Sequence, residues 1–271
     1  MISFVGAGPG AIDLITLRGQ KRLADADIVI WASSLIPQDL LVHCSEDVEL
    51  FDSSGMTLED VLEIYATRSE ADIVRLHSGD PSIYGAIAEQ IDFLEKNRIE
   101  FEVIPGVTSA SAASAVIARE FTVPGKAQSV VFTRIEGKTS ASIPPGETVE
   151  NYSKVGGTLA IFLSGAMPEK LQAELLGPDS VYNPNTPAYV VVRVSWPDQQ
   201  IVETTLGELG KTMKTVGATR TLLVLVGEAL AGQGEKRSHL YNPTFAHRYR
   251  KRSKQGDTAG RPTGRSKRVA D

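Results

Sequence analysis

From Ile2 to Ala118 the spacing of hydrophobic positions changes period several times. Compact β-branched and aliphatic runs at Ile2–Val5, Ile28–Trp31, Ile73–Leu76 and Phe101–Ile104 predict strands. Between them apolar residues recur at helical spacing. Leu58, Val61, Leu62, Tyr65 and Ala66 share one helix face, and Thr57 with Asp60 three residues on forms a capping pair for its start. Ser109–Ala118 is small and Ala-rich, suited to a helix lying close on a sheet. Strands alternating with helices predict a parallel sheet with crossover helices.

Pro124 and Gly125 mark a break between two halves. Beyond it, runs at Ser129–Thr133, Leu159–Leu163, Tyr189–Val194, Ile201–Thr204 and Leu222–Val226 predict strands, with helices at Pro168–Leu176 and Leu206–Thr215. The last three strands are separated by little or by a single helix, so this second sheet is expected to be mixed. Residues 135–157 contain Gly137, Pro144, Pro145, Gly146, Gly156 and Gly157 with few apolar anchors, a candidate loop or lid. The expected organisation is an N-terminal α/β domain over 1–122, a C-terminal α/β domain over 123–246 and a basic tail over 247–271.

With 271 residues, 42% hydrophobic and 23% charged, the chain has the makeup of a globular protein large enough for two domains. Its single cysteine, Cys44, excludes an intramolecular disulfide, and together with His43 it forms no metal-binding pattern, so no metal is expected. No apolar run approaches the roughly 20 residues of a membrane-spanning helix, and the first ten residues lack the features of a secretory signal. The expected location is the cytoplasm.

Charge changes the picture at one end. Residues 248–271 hold nine Lys or Arg against two Asp, whereas residues 1–247 hold 19 basic and 31 acidic residues, a net charge near −12. The tail has almost no large apolar side chains after Tyr249, no aromatic interleaving for base stacking and no amphipathic period, and is expected to be solvated and disordered. The acidic body disfavours nucleic acid as a partner.

Three turns carry candidate chemistry. Gly6-Ala7-Gly8-Pro9-Gly10 follows the first strand and precedes a helical segment, a place where backbone approaches ligands closely. It departs from the dinucleotide fingerprint, because position 11 is Ala and no acidic residue ends the second strand. Ser78-Gly79-Asp80-Pro81-Ser82-Ile83-Tyr84-Gly85 follows the third run, and Asp80 there suits either a hydrogen-bonded ligand or a turn. Pro105-Gly106-Val107-Thr108-Ser109 repeats the strand, turn, helix order, with Thr108 and Ser109 able to cap the helix. Singly, each is more often a structural turn. Together they follow strands of one parallel sheet, whose carboxyl ends gather ligands.

In this order and near these spacings, GAGPG with Leu14-Ile15-Thr16-Leu17-Arg18-Gly19, then SGDPSIYGA, then PGVTS, resemble the tetrapyrrole methylase family. Trp31–Ile36, Val74–Asp80, Tyr84–Gln90, Ile161–Ser164, Val194–Asp198 and Thr219–Thr221 are similar to the precorrin-4 C11-methyltransferase branch, and the similarity runs from about residue 2 to about residue 250. Where that branch carries Gly-Arg-Thr before a Pro-rich acidic segment, this chain has Gly137-Lys138-Thr139 followed by Ser140–Pro145.

The resemblance implies two α/β domains, the first mostly parallel and the second mixed, with a ligand cleft between them in a homodimer. It implies S-adenosylmethionine as methyl donor, S-adenosylhomocysteine as product, and methylation of precorrin-4 or its cobalt form at C11. Carried over, the donor site comprises Pro9, Ser78, Gly79, Asp80, Ile83, Tyr84, Thr108, Ser109, Leu163 and Ala188. No catalytic residue is assigned, since in-line methyl transfer needs alignment more than a nucleophilic side chain. His77 is the candidate base for loss of a proton, and equally a structural strand-end residue. The tetrapyrrole is a polycarboxylate that an acidic body repels, so Arg18, Arg75, Arg119, Arg134, Lys138 and Arg193 are the candidate local cations. The alternatives are a sister methylase acting on another ring carbon, a relative modifying RNA or protein, and a non-catalytic nucleotide-binding module.

Overall fold

The computed structural model describes residues 1–137, 143–232, 238–242, 245 and 248. The N-terminal half forms β1 (Ile2–Gly6), α1 (Leu17–Ala24), β2 (Ile28–Trp31), β3 (Glu49–Asp52), α2 (Leu58–Thr67), β4 (Ile73–His77), α3 (Ala88–Asn97), β5 (Phe101–Ile104) and α4 (Ser109–Val116). Its five strands are all parallel, in the order β3-β2-β4-β1-β5. The capping box at Thr57 and Asp60 forms as the sequence predicts, with both reciprocal hydrogen bonds present. β3 escapes the hydrophobic pattern because it is an edge strand whose residues are exposed or half-buried, so it carries no apolar run.

Hydrophobic residues cover both faces of this sheet. Val5, Val29, Val74, Leu76 and Ile104 pack with α1 through Leu23 on one face, and Phe4, Ile28, Ile30 and Ile73 pack with α2 and α3 through Val61, Tyr65 and Leu94 on the other. Burial on both sides explains why β1, β2 and β4 read as mostly apolar runs rather than as alternation.

The C-terminal half forms β6 (Val130–Arg134), α5 (Val149–Val155), β7 (Thr158–Phe162), α6 (Pro168–Leu175), β8 (Pro187–Val192), β9 (Gln200–Thr205), α7 (Leu209–Val216) and β10 (Leu222–Val226). The sheet order is β6-β7-β10-β8-β9, with β6 and β7 parallel and the remaining pairs antiparallel, the mixed sheet expected. The span 135–157 is not one long loop. Its second part is the helix α5, which Thr148 caps by accepting from the Asn151 amide and which buries Val149 and Ser153. Only two of its seven residues are buried, so its apolar signal is weak. Residues 138–142 of that span lie outside the described residues, as does the tail apart from Arg248.

One face of the second sheet packs on α6 and α7 through Leu171, Leu175, Leu209 and Met213. The other face receives α4. Ala110, Ala112 and Ala113 pack against Tyr189, Val191, Leu223 and Leu225, so the Ala-rich helix of the first half lies close on the sheet of the second. Small side chains permit that approach. This contact sets the carboxyl ends of β1, β4 and β5 opposite the second sheet.

Candidate active site

The strand order brings the three turns together. β1 lies between β4 and β5, so the chain leaves three adjacent parallel strands at the same edge. Gly8 and Gly79 form a bridge in which the Gly8 amide donates to the Gly79 carbonyl (3.2 Å) and the Gly79 amide to the Gly8 carbonyl (2.8 Å). A methyl group on Gly6 would stand 2.5 Å from the Gly106 backbone, so the first and third turns touch only because both residues lack side chains.

Asp80 joins the second turn to the third. Its carboxylate accepts from the Gly106 amide at 2.8 Å and from both the amide (2.8 Å) and the hydroxyl of Ser82. Burial disfavours the charge, but these hydrogen bonds from Ser82 and Gly106 outweigh it and hold the carboxyl below the usual carboxylate range. The turn-forming role and the site position coincide in this residue. Thr108 caps α4 by accepting from the Ala110 amide at 3.4 Å.

Between the turns and the second sheet lies a cavity of about 330 Å³, within the size range of small-molecule sites. Pro9 lines it from the first turn, Ser78, Gly79, Asp80, Ile83 and Tyr84 from the second, Thr108 and Ser109 from the third, and Leu163 from the end of β7. Ala188 does not. It is fully buried with Val190 and Val192 on the face of β8 that meets α6 and α7, whereas Val191 reaches the cavity from the opposite face. A shift of one residue along a strand changes the face.

Backbone strain concentrates here. Of the eight non-glycine residues with positive φ among the described residues, Tyr84 (56°), Leu163 (53°), Arg193 (48°) and Thr221 (50°) line the cavity. Such conformations persist only where surrounding contacts impose them, and they cluster at functional sites.

The candidate cations separate. Arg193 lines the cavity, with its guanidinium 3.9 Å from the centre of the Trp196 ring and its Nε donating to Asp198 at 2.7 Å. Arg134 ends β6 opposite Phe162, a cavity residue, and its charge acts on the Tyr84 hydroxyl. Arg75 is turned into the fold, donating to the Ile30 carbonyl (3.3 Å) and the Ser53 hydroxyl (2.9 Å). Arg119 holds the Leu230 carbonyl (3.0 Å), and Arg18 is exposed on α1; neither lines the cavity. Lys138 lies outside the described residues.

His77 is structural. Its ring is buried beside Phe4, its Nε2 has no partner, and burial with the nearby Arg75 charge pushes its pKa down to about 3. It does not line the cavity, so it is not placed to take a proton there. Among the described residues no group of three or more His, Cys, Asp or Glu is arranged to hold a metal ion.

Pattern reading assigned no role to several lining residues, among them Leu35, Phe162, Trp196 and Arg220. All four fall in the segments that carry the narrower resemblance, but nothing in local spacing marks them as cavity residues.

The family model of tetrapyrrole (corrin/porphyrin) methylases matches residues 1–210. The chain is 41% identical over 256 residues to the cobalt-precorrin-4 C(11)-methyltransferase of Methanocaldococcus jannaschii, covering 94% of this chain and 97% of that protein. It is 39% identical to the precorrin-4 C(11)-methyltransferase of Rhodococcus erythropolis, covering 90% and 97%. The crystal structure of a cobalt-precorrin-4 methyltransferase superposes with a TM-score of 0.80 at 38% identity, covering 84% of this chain and 95% of the other. The chain belongs to the tetrapyrrole (corrin/porphyrin) methylase family.

Proposed function

We propose that this protein transfers the methyl group of S-adenosylmethionine to C11 of precorrin-4, or of cobalt-precorrin-4, in cobalamin biosynthesis. The observation that carries this is the convergence of three glycine-containing turns on one cavity, in a chain about 40% identical along nearly its whole length to methyltransferases of that name. The residues fit the donor. Backbone amides and carbonyls of the turns, the Thr108 and Ser109 hydroxyls and the apolar Ile83 and Leu163 offer the mixed lining that a nucleoside bearing an amino acid requires. The nine lining residues from Pro9 to Leu163 named above form the donor site in this reading, and Ala188 is left out.

The donor supplies an activated methyl group. The chain's task is to hold that group in line with an electron-rich ring carbon and to exclude water. Such alignment can lower a barrier by roughly 7–11 kcal/mol without a nucleophilic side chain.

On the tetrapyrrole side, Arg193, Arg134 and Arg220 are the carboxylate anchors. Arg220 lines the cavity and has no hydrogen-bond or ion-pair partner among the described residues, whereas Arg193 already holds Asp198. The reading includes a cytoplasmic homodimer, which light scattering on the purified chain checks at twice the chain mass. Among the described residues no helix is long and apolar enough to cross a membrane.

The test is incubation with methyl-labelled S-adenosylmethionine and each tetrapyrrole intermediate, read by mass and proton NMR. One labelled methyl at C11 of precorrin-4 or its cobalt form is expected. Methylation of a different ring carbon would assign the chain to a sister activity, and binding of nucleotides without any transfer would make it a binding module.

A further inference from the structure

The turn that brings Pro9 to the cavity is completed from the other domain. The Trp196 indole Nε1–H donates to the Pro9 carbonyl at 3.0 Å, and the Ala11 amide donates to the Ser195 hydroxyl at 2.9 Å, contacts that span 187 and 184 residues of sequence. Between them, Gly10 leaves room for the indole, and a methyl group at that position would overlap the ring. The Gly8–Gly79 bridge ties the turn to the N-terminal sheet up to Gly8. Among the described residues the N-terminal domain supplies no hydrogen bond to the Pro9 carbonyl or the Ala11 amide.

The C-terminal side of this contact is itself held rigidly. The Arg193 amide donates to the Thr221 carbonyl, the Trp196 amide to the Arg193 carbonyl, and the Ser195 amide to Gln199 Oε1. Arg193 and Ser195 both adopt the left-handed conformation (φ 48° and 65°), which these contacts impose on residues that disfavour it. The Arg193 guanidinium lies over the Trp196 ring and is anchored by Asp198, which fixes the plane of the indole.

We propose that Ser195 and Trp196 are positioning residues forming an interdomain latch, and that the Gly6–Gly10 turn takes its donor-binding shape only when latched onto the C-terminal domain. The inference rests on the reading of the cavity as the S-adenosylmethionine site. Neither residue carries chemistry. They hold the Pro9–Ala11 backbone against the cavity, so that domain packing and donor affinity are coupled.

Calorimetric titration with S-adenosylhomocysteine tests the latch, with melting temperature measured on every variant. Trp196→Phe keeps a ring but removes the N–H donor, and Ser195→Ala removes the acceptor. Each is expected to weaken binding roughly three- to tenfold with little change in melting temperature, the range of one hydrogen bond. Hydrogen exchange at the Ala11 amide, read without ligand, should quicken in Ser195→Ala. Gly10→Ala should weaken binding in the native background and cost less in Trp196→Ala, where the clash partner is gone and only the backbone strain of a side chain at φ 159° remains. Native affinity in Trp196→Phe, unchanged Ala11 exchange in Ser195→Ala, or an equal effect of Gly10→Ala in both backgrounds would overturn the latch. If the unaltered chain does not bind S-adenosylhomocysteine, the donor reading itself fails, an outcome seen before any substitution is made.

Discussion

Asp80 illustrates what a single residue can reveal. Its position after a strand, between Gly79 and Pro81, leaves a turn role and a site role both open. The structure gives it the turn role, its carboxylate tying Gly106 and Ser82, and places it in the lining of the cavity. Arg220 is the opposite case, an arginine whose local spacing does not mark it as a cavity residue and which the fold turns toward the cavity. Arg220→Ala is expected to raise KM for the tetrapyrrole about tenfold or more, the value of a charge-assisted hydrogen bond, while S-adenosylhomocysteine affinity stays constant in calorimetry. Equal loss of both affinities would reject that division of labour. His77 gives a pH prediction. An unfolded histidine titrates near 6.5 and this one near 3, so below about pH 6.5 the unfolded chain binds a proton that the folded chain refuses. Its contribution is fully present above that pH and falls as pH drops toward 3, at up to about 1.4 kcal/mol per unit. His77→Leu should flatten the decline of the urea midpoint between pH 6.5 and 5, and parallel slopes in both proteins would contradict it.

At the scale of elements, strands buried on both faces were the most legible. β1, β2 and β4 lie within one residue of the apolar runs, because a mostly apolar, β-branched run needs no partner to be recognised, and the partly exposed edge strand β5 was legible from Phe101, Val103 and Ile104. β10 coincides with its run, and the other four C-terminal strands differ from theirs by one or two residues at their ends, with left-handed residues such as Leu163 and Arg193 following β7 and β8. β3 and α5 were not legible, since one is an exposed edge and the other buries two residues. The Ala-rich composition of α4 announces close packing without naming the surface it meets. That surface is the second sheet, and Ala113→Leu should therefore destabilise the fold by about 1–3 kcal/mol through overpacking, with a lowered melting temperature as the readout. A neutral result would mean the interface between α4 and the sheet has space that the packing does not show.

For the whole molecule, the cavity exists only between the two domains, so a ligand that fills it stabilises both. At 100 times its dissociation constant, a ligand specific for the folded state adds about 2.7 kcal/mol. For a chain of this length that is a rise in melting temperature of about 5–11 °C, to be measured by scanning calorimetry with S-adenosylhomocysteine. NAD at the same concentration should leave the transition where it is, and a comparable rise with NAD would favour the nucleotide-binding alternative.

By themselves the residues determined the alternation of strands and helices, the three glycine-bearing turns and the family to which they correspond. These depend on local periodicity, on backbone conformations open to glycine, and on short motifs. Only the tertiary structure decided that Val191 rather than Ala188 reaches the cavity, that Arg75 is turned inward while Arg220 lines it, and that Trp196 closes on Pro9. Those outcomes are set by the face a side chain takes and by contacts between segments nearly 190 residues apart, and neither follows from spacing along the chain.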